Sequence, residues 1–308
     1  MQHVIITGAT GFVGKSLIPY LLGQGVKVTA IILPDTINLL TKHANLEIII
    51  GTLDNPQDIR SQLLGKSYDT MYHLAWTGVN TIYKNVQEIQ IKNIDYALSM
   101  MDLAKDLNCQ RVISIGSVSE YAYVDGAVNG QQAPCPSDLY AATKVSVHTY
   151  CDLIARQNEI KFNWVLIPSI YGPGREDNNL ITYTIKMLLT GQKPSYTKLE
   201  QQWDYIFIDD LMRALYLIGI YGKETKTYVA GYGIARPMSE YVKIIRDKIN
   251  PEAEIGIGEM PYKTGRVDNA IVDITELNKD TGFEPQVAFE DGITQTIEYY
   301  KKQLKVEL

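Results

Sequence analysis

Short apolar runs alternate with longer amphipathic stretches through residues 1–167. Short runs rich in Val and Ile predict strands, whereas stretches whose apolar residues recur every three or four positions predict helices. The predicted strands are His3–Thr7, Lys27–Leu33, Leu46–Ile50, Asp69–Ala75, Arg111–Gly116 and Phe162–Ile167, and the predicted helices are Gly14–Gly23, Asn85–Leu107 and Leu139–Asn158. This alternation predicts an α/β fold in which a doubly wound parallel sheet is covered by helices on both faces.

The pattern changes after Pro168, where Pro and Gly cluster at Tyr171–Gly174 and helical segments follow with short extended pieces between them. We predict a first domain of residues 1–167, to which residues 205–232 return. Residues 168–204 and 233–308 are expected to form a smaller, mixed C-terminal domain. The sequence has no flexible linker, so the cleft between the two parts is the expected binding site.

The composition narrows the class of protein. The chain has 308 residues, of which 45% are hydrophobic and 21% charged, and a formal net charge of −6. These values are typical of a globular protein and exclude the basic excess expected of a nucleic-acid binder. No apolar run is long enough to span a membrane, and no signal peptide is recognised. The expected location is therefore cytoplasmic, with no membrane partner.

Cys109, Cys135 and Cys151 are the cysteines of the chain. Their odd number, without a Cys-x-x-Cys spacing, argues against a disulfide framework or a zinc site. The four histidines do not pair with them at ligand spacing, so we expect no metal.

A glycine-rich loop joins the first predicted strand to the first predicted helix. Gly8 would permit a tight turn, Gly11 would admit a pyrophosphate close to the backbone, and Gly14 would let the helix pack against the sheet. Free N–H groups and the helix dipole favour an anion at this point. The loop predicts a Rossmann-type dinucleotide site that also includes Thr10, Phe12 and Val13.

The end of the second predicted strand bears on the choice of nicotinamide cofactor. An acid there binds the ribose hydroxyls of NAD. Ile32 and Leu33 occupy those positions, and Asp35 comes a little late. The missing acid favours NADP(H) over NAD(H).

Tyr140 and Lys144 stand four residues apart at the start of a predicted helix, so they share one face. An ammonium beside a phenol lowers the pKa of the phenol and makes it a usable acid or base. Ser117 ends the preceding strand, at the edge where a doubly wound fold gathers its site. We predict Ser117, Tyr140 and Lys144 as the catalytic residues, with Tyr140 and Lys144 also touching the cofactor.

These motifs together resemble the extended short-chain dehydrogenase/reductase family, and in particular its NAD-dependent epimerase/dehydratase branch. The resemblance covers nearly the whole chain. It rests on the glycine loop, His73–Ala75, Ser117, Tyr140 with Lys144, Tyr171–Gly174, Tyr205–Asp210 and Asp273–Pro285.

The resemblance implies further contacts. Leu53 and Asp54 would flank the adenine, Leu74 and Ala75 would line the cofactor, and Pro168 would lie near the nicotinamide. Asn93 would lie behind the active site.

The departures from the family pattern limit the reaction. Members that dehydrate sugars carry an Asp-Glu pair where this chain has Val118 and Ser119, and members that epimerise at C3 and C5 carry a Cys at the position of Ser119. Neither activity is expected here. Ile167 and Ile170 replace an Arg and an Asn found in many members. Contacts to the substrate diphosphate would then come from Arg175 and Arg266.

The strongest resemblance is to reductases of nucleotide-linked 4-keto-6-deoxyhexoses, such as those that make CDP-abequose. It rests on the segment Gln201–Tyr205 and on Trp76. Trp76 would either stack on the substrate or pack within the protein. The expected function is reduction of the C4 carbonyl of such a nucleotide sugar. The alternatives are an NAD-dependent 4-epimerase and a non-catalytic cofactor-binding protein, which would be expected to lack Tyr140 or Lys144. The Asn85–Leu107 and Leu139–Asn158 helices could form a homodimer, or their apolar residues could belong to the core. The base, the sugar and the product stereochemistry stay open.

Overall fold

Alternate side chains of the central strands point into two different cores. In the computed structural model, which describes residues 1–80, 82–262 and 269–305, Val4 and Ile6 of the first strand belong to one buried cluster, whereas Ile5 between them belongs to another. Successive strand residues face opposite sides of a sheet. A strand buried on both faces therefore reads as a continuous apolar run.

Seven parallel strands form the central sheet, in the order β11-β6-β5-β4-β1-β2-β3. The first six strands in chain order are therefore arranged 3-2-1-4-5-6, the order of a doubly wound dinucleotide-binding sheet. The predicted α/β fold of Rossmann type is confirmed. The strands are β1 His3–Thr7, β2 Lys27–Ile32, β3 Leu46–Ile50, β4 Thr70–His73, β5 Arg111–Ser117, β6 Lys161–Ile167 and β11 Lys226–Val229.

Helices cover both faces of this sheet. α3 and α4 pack on one face, and α1 and α6 pack together on the other. Two short 3₁₀ turns, Pro34–Leu39 and Val118–Tyr121, follow β2 and β5. These four helices are α1 Phe12–Gly23, α3 Gln87–Asp106, α4 Leu139–Gln157 and α6 Ile208–Tyr221. A shorter helix, α2 Pro56–Leu63, follows β3.

The C-terminal part adds helices and very short strand pairs. Its three two-stranded pieces pair β10 with β7, β12 with β9, and β13 with β8. Its core continues the first buried cluster, in which Ile185, Tyr241 and Ile293 join Val4 and Ile6. The elements are β7 Ser169–Tyr171, α5 Leu180–Leu189, β8 Ser195–Tyr196, β9 Gln202–Trp203, β10 Tyr205–Phe207, β12 Arg236–Pro237, α7 Met238–Ile249, β13 Gly256–Ile257, α8 Thr275–Thr281 and α9 Phe289–Leu304.

Residues 226–229 return to the central sheet after the first C-terminal elements. β11 pairs in parallel with β6, with Thr227 opposite Trp164. β10, in the same predicted range of residues 205–232, pairs instead with β7 in a separate two-stranded sheet. The return of that whole range and the domain boundaries stay a prediction. In the described part of the chain, no helix has the length and apolar character needed to cross a membrane.

Candidate active site

The glycine loop forms a tight turn that leaves no space for a side chain at Gly8 or Gly14. Gly8 has a φ of 67°, and a Cβ there would lie 2.6 Å from Ala75 N. Gly11 is the N-cap of α1, and the first turn of that helix has neither a side-chain cap nor an acidic residue. The N–H groups at the start of a helix need partners from outside it. The turn therefore suits a diphosphate, which accepts such hydrogen bonds.

The crevice beside this turn lies where the strand order reverses. β1 is flanked by β2 on one side and β4 on the other, and their connections leave in opposite directions. Leu74 and Ala75 follow β4 and abut Gly8, and Ala75 N donates to Thr7 Oγ1 at 3.3 Å. Ligands of doubly wound sheets bind at such a switch point.

Three other residues assigned to the cofactor by resemblance also follow the carboxyl ends of strands. Leu53 and Asp54 come after β3, and Pro168 comes after β6. Asp54 Oδ1 accepts a hydrogen bond from Tyr96 Oη at 2.7 Å, which lowers the pKa of Asp54. These positions surround one edge of the sheet, and their contacts to a cofactor stay a prediction.

The structure brings Ser117, Tyr140 and Lys144 together. Ser117 is the last residue of β5, and its side chain is hydrogen-bonded to Tyr140 in the first turn of α4. Asp138 caps this helix by accepting from Ala141 N at 2.7 Å, which fixes the turn that carries Tyr140. Lys144 lies one turn further on and is buried, with Nζ donating to Ile115 O at 2.6 Å.

Trp76 belongs to the same cluster. Lys144 Nζ lies 3.5 Å from the Trp76 ring centroid, and the Trp76 and Tyr140 rings meet edge to face at 5.8 Å. A cation over an indole face is a favourable contact. Trp76 therefore packs against both residues, and a stacking contact with the substrate, which stays a prediction, would use the other face of its ring.

Tyr140 is held in its protonated form. Burial raises the pKa of Tyr140 above its usual value, the Glu120 charge raises it further, and the hydrogen bond from Ser117 opposes both. The sequence reasoning expected Lys144 to lower this pKa. In the structure Lys144 Nζ is 5.7 Å from the Tyr140 ring centroid and is bonded to a carbonyl, so desolvation dominates. Tyr140 is thus equipped to donate a proton.

Two charged residues near the cluster were missed by the sequence reasoning. Glu120 is completely buried, and its Oε1 accepts from Ser117 N at 2.7 Å. The signal was present, because Ser-x-x-Glu at Ser117–Glu120 is the pattern of a capping box, which the structure contains. Lys84 Nζ lies 4.9 Å from the centroid of the Tyr140 ring, from a loop that no periodic pattern marks.

The loop between β4 and α3 is fastened to the start of α4. Lys84 O accepts from Tyr140 N at 2.9 Å, and Asn85 Oδ1 accepts from Leu139 N at 3.0 Å. Asn93 is buried behind this loop, where its amide bonds both the N–H and the carbonyl of Thr77 at 2.8 and 2.9 Å. Asn93 therefore holds the segment that carries Trp76.

Arg175 lies apart from this cluster. Its guanidinium makes two hydrogen bonds to Asp177, at 2.5 and 2.9 Å, donates to Ile170 O, and lies 5.8 Å from the Phe12 ring centroid. A contact from Arg175 to the substrate diphosphate stays a prediction and requires the pair with Asp177 to open. Arg266 falls outside the described residues.

The segment Gln201–Tyr205 reaches the end of β6. Trp203 Nε1 donates to Ser169 Oγ at 2.9 Å, next to Pro168. Asp204 is buried with no cationic partner among the described residues, and it accepts from Tyr232 N at 2.8 Å and Gly233 N at 2.7 Å. This segment thereby connects the C-terminal part to the sheet edge that holds the candidate site.

A doubly wound sheet with a glycine turn at its switch point, and with Ser, Tyr and Lys at the ends of β5 and α4, defines an extended short-chain dehydrogenase/reductase. The model of the "NAD dependent epimerase/dehydratase family" matches residues 4–231. The chain belongs to this family, whose members are NAD-dependent oxidoreductases, epimerases and dehydratases acting on nucleotide sugars.

Individual relatives include a reductase, a synthase and an epimerase. The chain is 25% identical to the dTDP-4-dehydro-6-deoxyglucose reductase of Escherichia coli, over 96% of each chain. It is also 25% identical to the CDP-abequose synthase of Salmonella typhimurium, over 96% of this chain and 97% of the relative. The NAD complex of Thermus thermophilus UDP-glucose 4-epimerase shares the fold, with a TM-score of 0.86, 17% identity, and coverage of 97% of this chain and 99% of that one. The dTDP-glucose 4,6-dehydratase of Streptomyces griseus is 23% identical, over 97% of this chain and 94% of the relative.

Proposed function

We propose that this protein uses NAD(P)H to reduce the C4 carbonyl of a nucleotide-linked 4-keto-6-deoxyhexose. The observation that carries the proposal is the protonated Tyr140 beside Ser117. The phenol carries a proton at neutral pH, and it lies beside Ser117 and Lys144 at the end of β5, so Tyr140 is placed to give that proton to an oxygen atom. Reduction of a ketone requires such a donor, and the full-length similarity to a dTDP-4-dehydro-6-deoxyglucose reductase and a CDP-abequose synthase favours reduction over epimerisation.

Each residue of the cluster has a role in this reaction. The Ser117 hydroxyl and Tyr140 hold the carbonyl oxygen between them, and Tyr140 donates the proton to that oxygen. Lys144 binds the ribose of the cofactor next to the nicotinamide. The dihydronicotinamide, when bound, supplies the hydride.

The residues after Ser117 support reduction over dehydration. Elimination of water needs a positioned acid and base at neighbouring carbons. Val118 is apolar, and the Ser119 hydroxyl donates to Ser117 Oγ at 2.8 Å. Neither side chain supplies a carboxyl group to the substrate.

Two features of the glycine loop support a bound dinucleotide. A Cβ at Gly8 would fill the space against Ala75, and the uncapped start of α1 offers N–H groups to a diphosphate. The family and the NAD-bound relative both support NAD as the cofactor. Neither supports the expected preference for NADP(H). The lack of an acid at Ile32 and Leu33 is what favours NADP(H), so both cofactors belong in the test.

The proposal extends to organisation. Residues 1–167 with 205–232 would bind the dinucleotide, and residues 168–204 with 233–308 would bind the nucleotide sugar. A homodimer through α3 and α4 is consistent with the exposed apolar side chains of Ile91, Tyr150 and Leu153.

A 4-epimerase is the second candidate function. The same three residues serve an enzyme that oxidises the sugar and then reduces it on its other face, and the NAD-bound epimerase relative supports this reading. Such an enzyme keeps its cofactor through the cycle and shows no net consumption of it.

The experiment follows oxidation of NADH and of NADPH, by loss of the reduced-nicotinamide absorbance, with CDP-, dTDP- and GDP-linked 4-keto-6-deoxyhexoses. We expect stoichiometric consumption with one of them. A protein that retains cofactor after purification, consumes none, and interconverts C4 epimers of a nucleotide sugar would contradict the reductase and support the epimerase.

A further inference from the structure

We infer that Glu120 is a positioning residue of the Ser117–Tyr140–Lys144 site, whose buried carboxylate favours the ammonium form of Lys144 against the effect of burial and fixes the backbone of Ser117. This role goes beyond the three catalytic residues and rests on the proposed function for its effect on turnover. It concerns a side chain that touches neither substrate nor cofactor and acts through the two residues that do.

The carboxylate is held in one orientation. Oε1 accepts from Ser117 N at 2.7 Å, and Trp164 Nε1 lies 3.2 Å from both Oε1 and Oε2. The backbone makes room for it, because a Cβ at Gly116 would lie 2.8 Å from Oε1. Hydrogen bonds to an ionised carboxylate stabilise the charged form of a buried acid.

Lys144 and Glu120 form a buried pair of opposite charges separated by more than a salt-bridge distance. Lys144 is 5% exposed and Glu120 is 0% exposed. Lys144 Nζ donates to Ile115 O and lies 5.7 Å from the ring centroid of Trp164, whose indole N–H contacts Glu120. Trp164 therefore lies against both groups, and water does not screen the attraction between them.

Burial and attraction act on Lys144 in opposite directions. Burial lowers the pKa of Lys144, and the Glu120 charge raises it. The reciprocal holds for the acid, since burial raises the pKa of Glu120 and the Lys144 charge lowers it. Among the described residues, Glu120 is the carboxylate whose charge acts on Lys144, so without it the ammonium would keep its contacts with Ile115 O and the Trp76 ring but would have no opposite charge to offset its lost hydration.

The other ionisable groups around the pair do not replace Glu120. His73 on β4 faces Lys144, and burial lowers the pKa of His73 to about 3, so it is neutral. The remaining neighbours are Tyr140 and His148 from α4, Tyr121 from the 3₁₀ turn, and Lys84 with Asp138 on the outer side of Tyr140. Of these, only Asp138 carries a negative charge, and it caps α4.

The test uses Glu120→Gln, which keeps the shape of the side chain and an oxygen for Ser117 N but removes the charge. The titration of Lys144 is followed by NMR of protein labelled at the lysine ε-carbon, with the resonance assigned by its loss in Lys144→Met. We expect the Lys144 midpoint to fall by ~1–2 pH units in Glu120→Gln. The alkaline limb of the kcat–pH profile should move down by the same amount.

Two further variants separate charge from structure. Asp210→Asn removes another buried carboxylate, which on α6 accepts from Gln286 N and Val287 N, and it should leave the Lys144 midpoint unchanged. Glu120→Asp keeps the charge but shortens its reach, so its shift should be smaller than that of Glu120→Gln. Equal Lys144 midpoints in the wild type and both Glu120 variants would overturn the inference. The NMR result decides the matter even if the wild type reduces no nucleotide sugar, in which case the proposed function alone fails.

Discussion

The groups around Tyr140 shift its pKa in opposite directions. Burial and the Glu120 charge keep the phenol protonated, while the hydrogen bond with Ser117 favours the phenolate. Lys84 and Lys144 lie on its ring, at 4.9 and 5.7 Å from the centroid. The Tyr140 phenol therefore gives up its proton only to an acceptor close to it. A substrate carbonyl oxygen held by Ser117 would be such an acceptor.

Replacing Tyr140 by Phe tests this role with little change in packing. We expect kcat to fall by a factor on the order of 10² to 10⁴, while the cofactor dissociation constant stays within about threefold. The measurements are steady-state kinetics and a fluorescence titration with the reduced cofactor. Tyr150→Phe is the matched control, because Tyr150 is exposed on the same helix and should keep wild-type turnover. Normal kcat in Tyr140→Phe would remove the proposed proton donor.

Single residues show where sequence reasoning succeeds and where it stops. The helical spacing of Tyr140 and Lys144, with the place of Ser117 at the end of a strand, predicts that the three residues lie together, and the structure brings them together. Their catalytic role stays a prediction. Spacing does not reveal burial, which raises the pKa of Tyr140, whereas the proximity of Lys144 predicts a lowered one. Nor does it reveal which partner a side chain chooses, and Arg175 is paired with an Asp177 only two residues away.

At the scale of elements, the βα turn at Gly8 decides whether the dinucleotide site can form. Its positive φ and its approach to Ala75 both exclude a side chain. The turn is short because α1 begins at Phe12, two residues before the predicted start at Gly14. An early helix start brings its N–H groups closer to the crevice.

Gly8→Ala should therefore lower the affinity for NAD(H) at least tenfold and destabilise the fold by ~1–3 kcal/mol. Gly23→Ala is the control, since a Cβ at Gly23 meets nothing within 4 Å and Ala favours a helix. That variant should be as stable as the wild type or slightly more so. Urea unfolding and cofactor fluorescence measure both effects, and equal affinity in the two variants would contradict this account of the turn.

The long elements of the first half were predictable because their periodicity is strong. α3 and α4 each differ from the predicted ranges by no more than two residues at either end. The short strands β8, β9, β12 and β13 have two residues each and offer no period to read. The sequence analysis does not predict α9. Its pattern is nevertheless helical, because Phe289, Ile293, Ile297 and Tyr300 repeat at helical spacing and are buried.

Across the whole molecule, α4 is joined to the sheet by His148. Its ring stacks on Trp164 of β6, with centroids 5.0 Å apart and an angle of 4°, and its Nε2 lies 3.2 Å from Thr227 Oγ1 of β11. Burial lowers the pKa of His148 to about 4. Below pH 6.5, the ordinary pKa of histidine, His148 is protonated in the unfolded chain but stays neutral in the folded chain. Its contribution to the free energy of unfolding is therefore fully present above pH 6.5 and is lost as the pH falls towards 4.

The free energy of unfolding should accordingly fall between about pH 7.5 and pH 5, with His148 contributing ~1–2 kcal/mol of that loss. His148→Gln should reduce this pH dependence by the same amount, whatever its effect on stability at neutral pH. His43→Gln, on an exposed loop, should leave the pH dependence intact. Urea unfolding at the two pH values provides the comparison, and parallel pH profiles for wild type and His148→Gln would contradict the assignment.

The return of β11 to the sheet has a consequence for how the chain comes off the ribosome. When synthesis has passed β6, that strand has a neighbour on one side only, because residues 226–229 have not yet been made. A bare strand edge is a template for association with other chains. The nascent polypeptide must keep this edge covered while about sixty more residues are added. A chain that ends near residue 170 would thus be a fragment prone to aggregation at the free edge of β6, and not an independently folding domain.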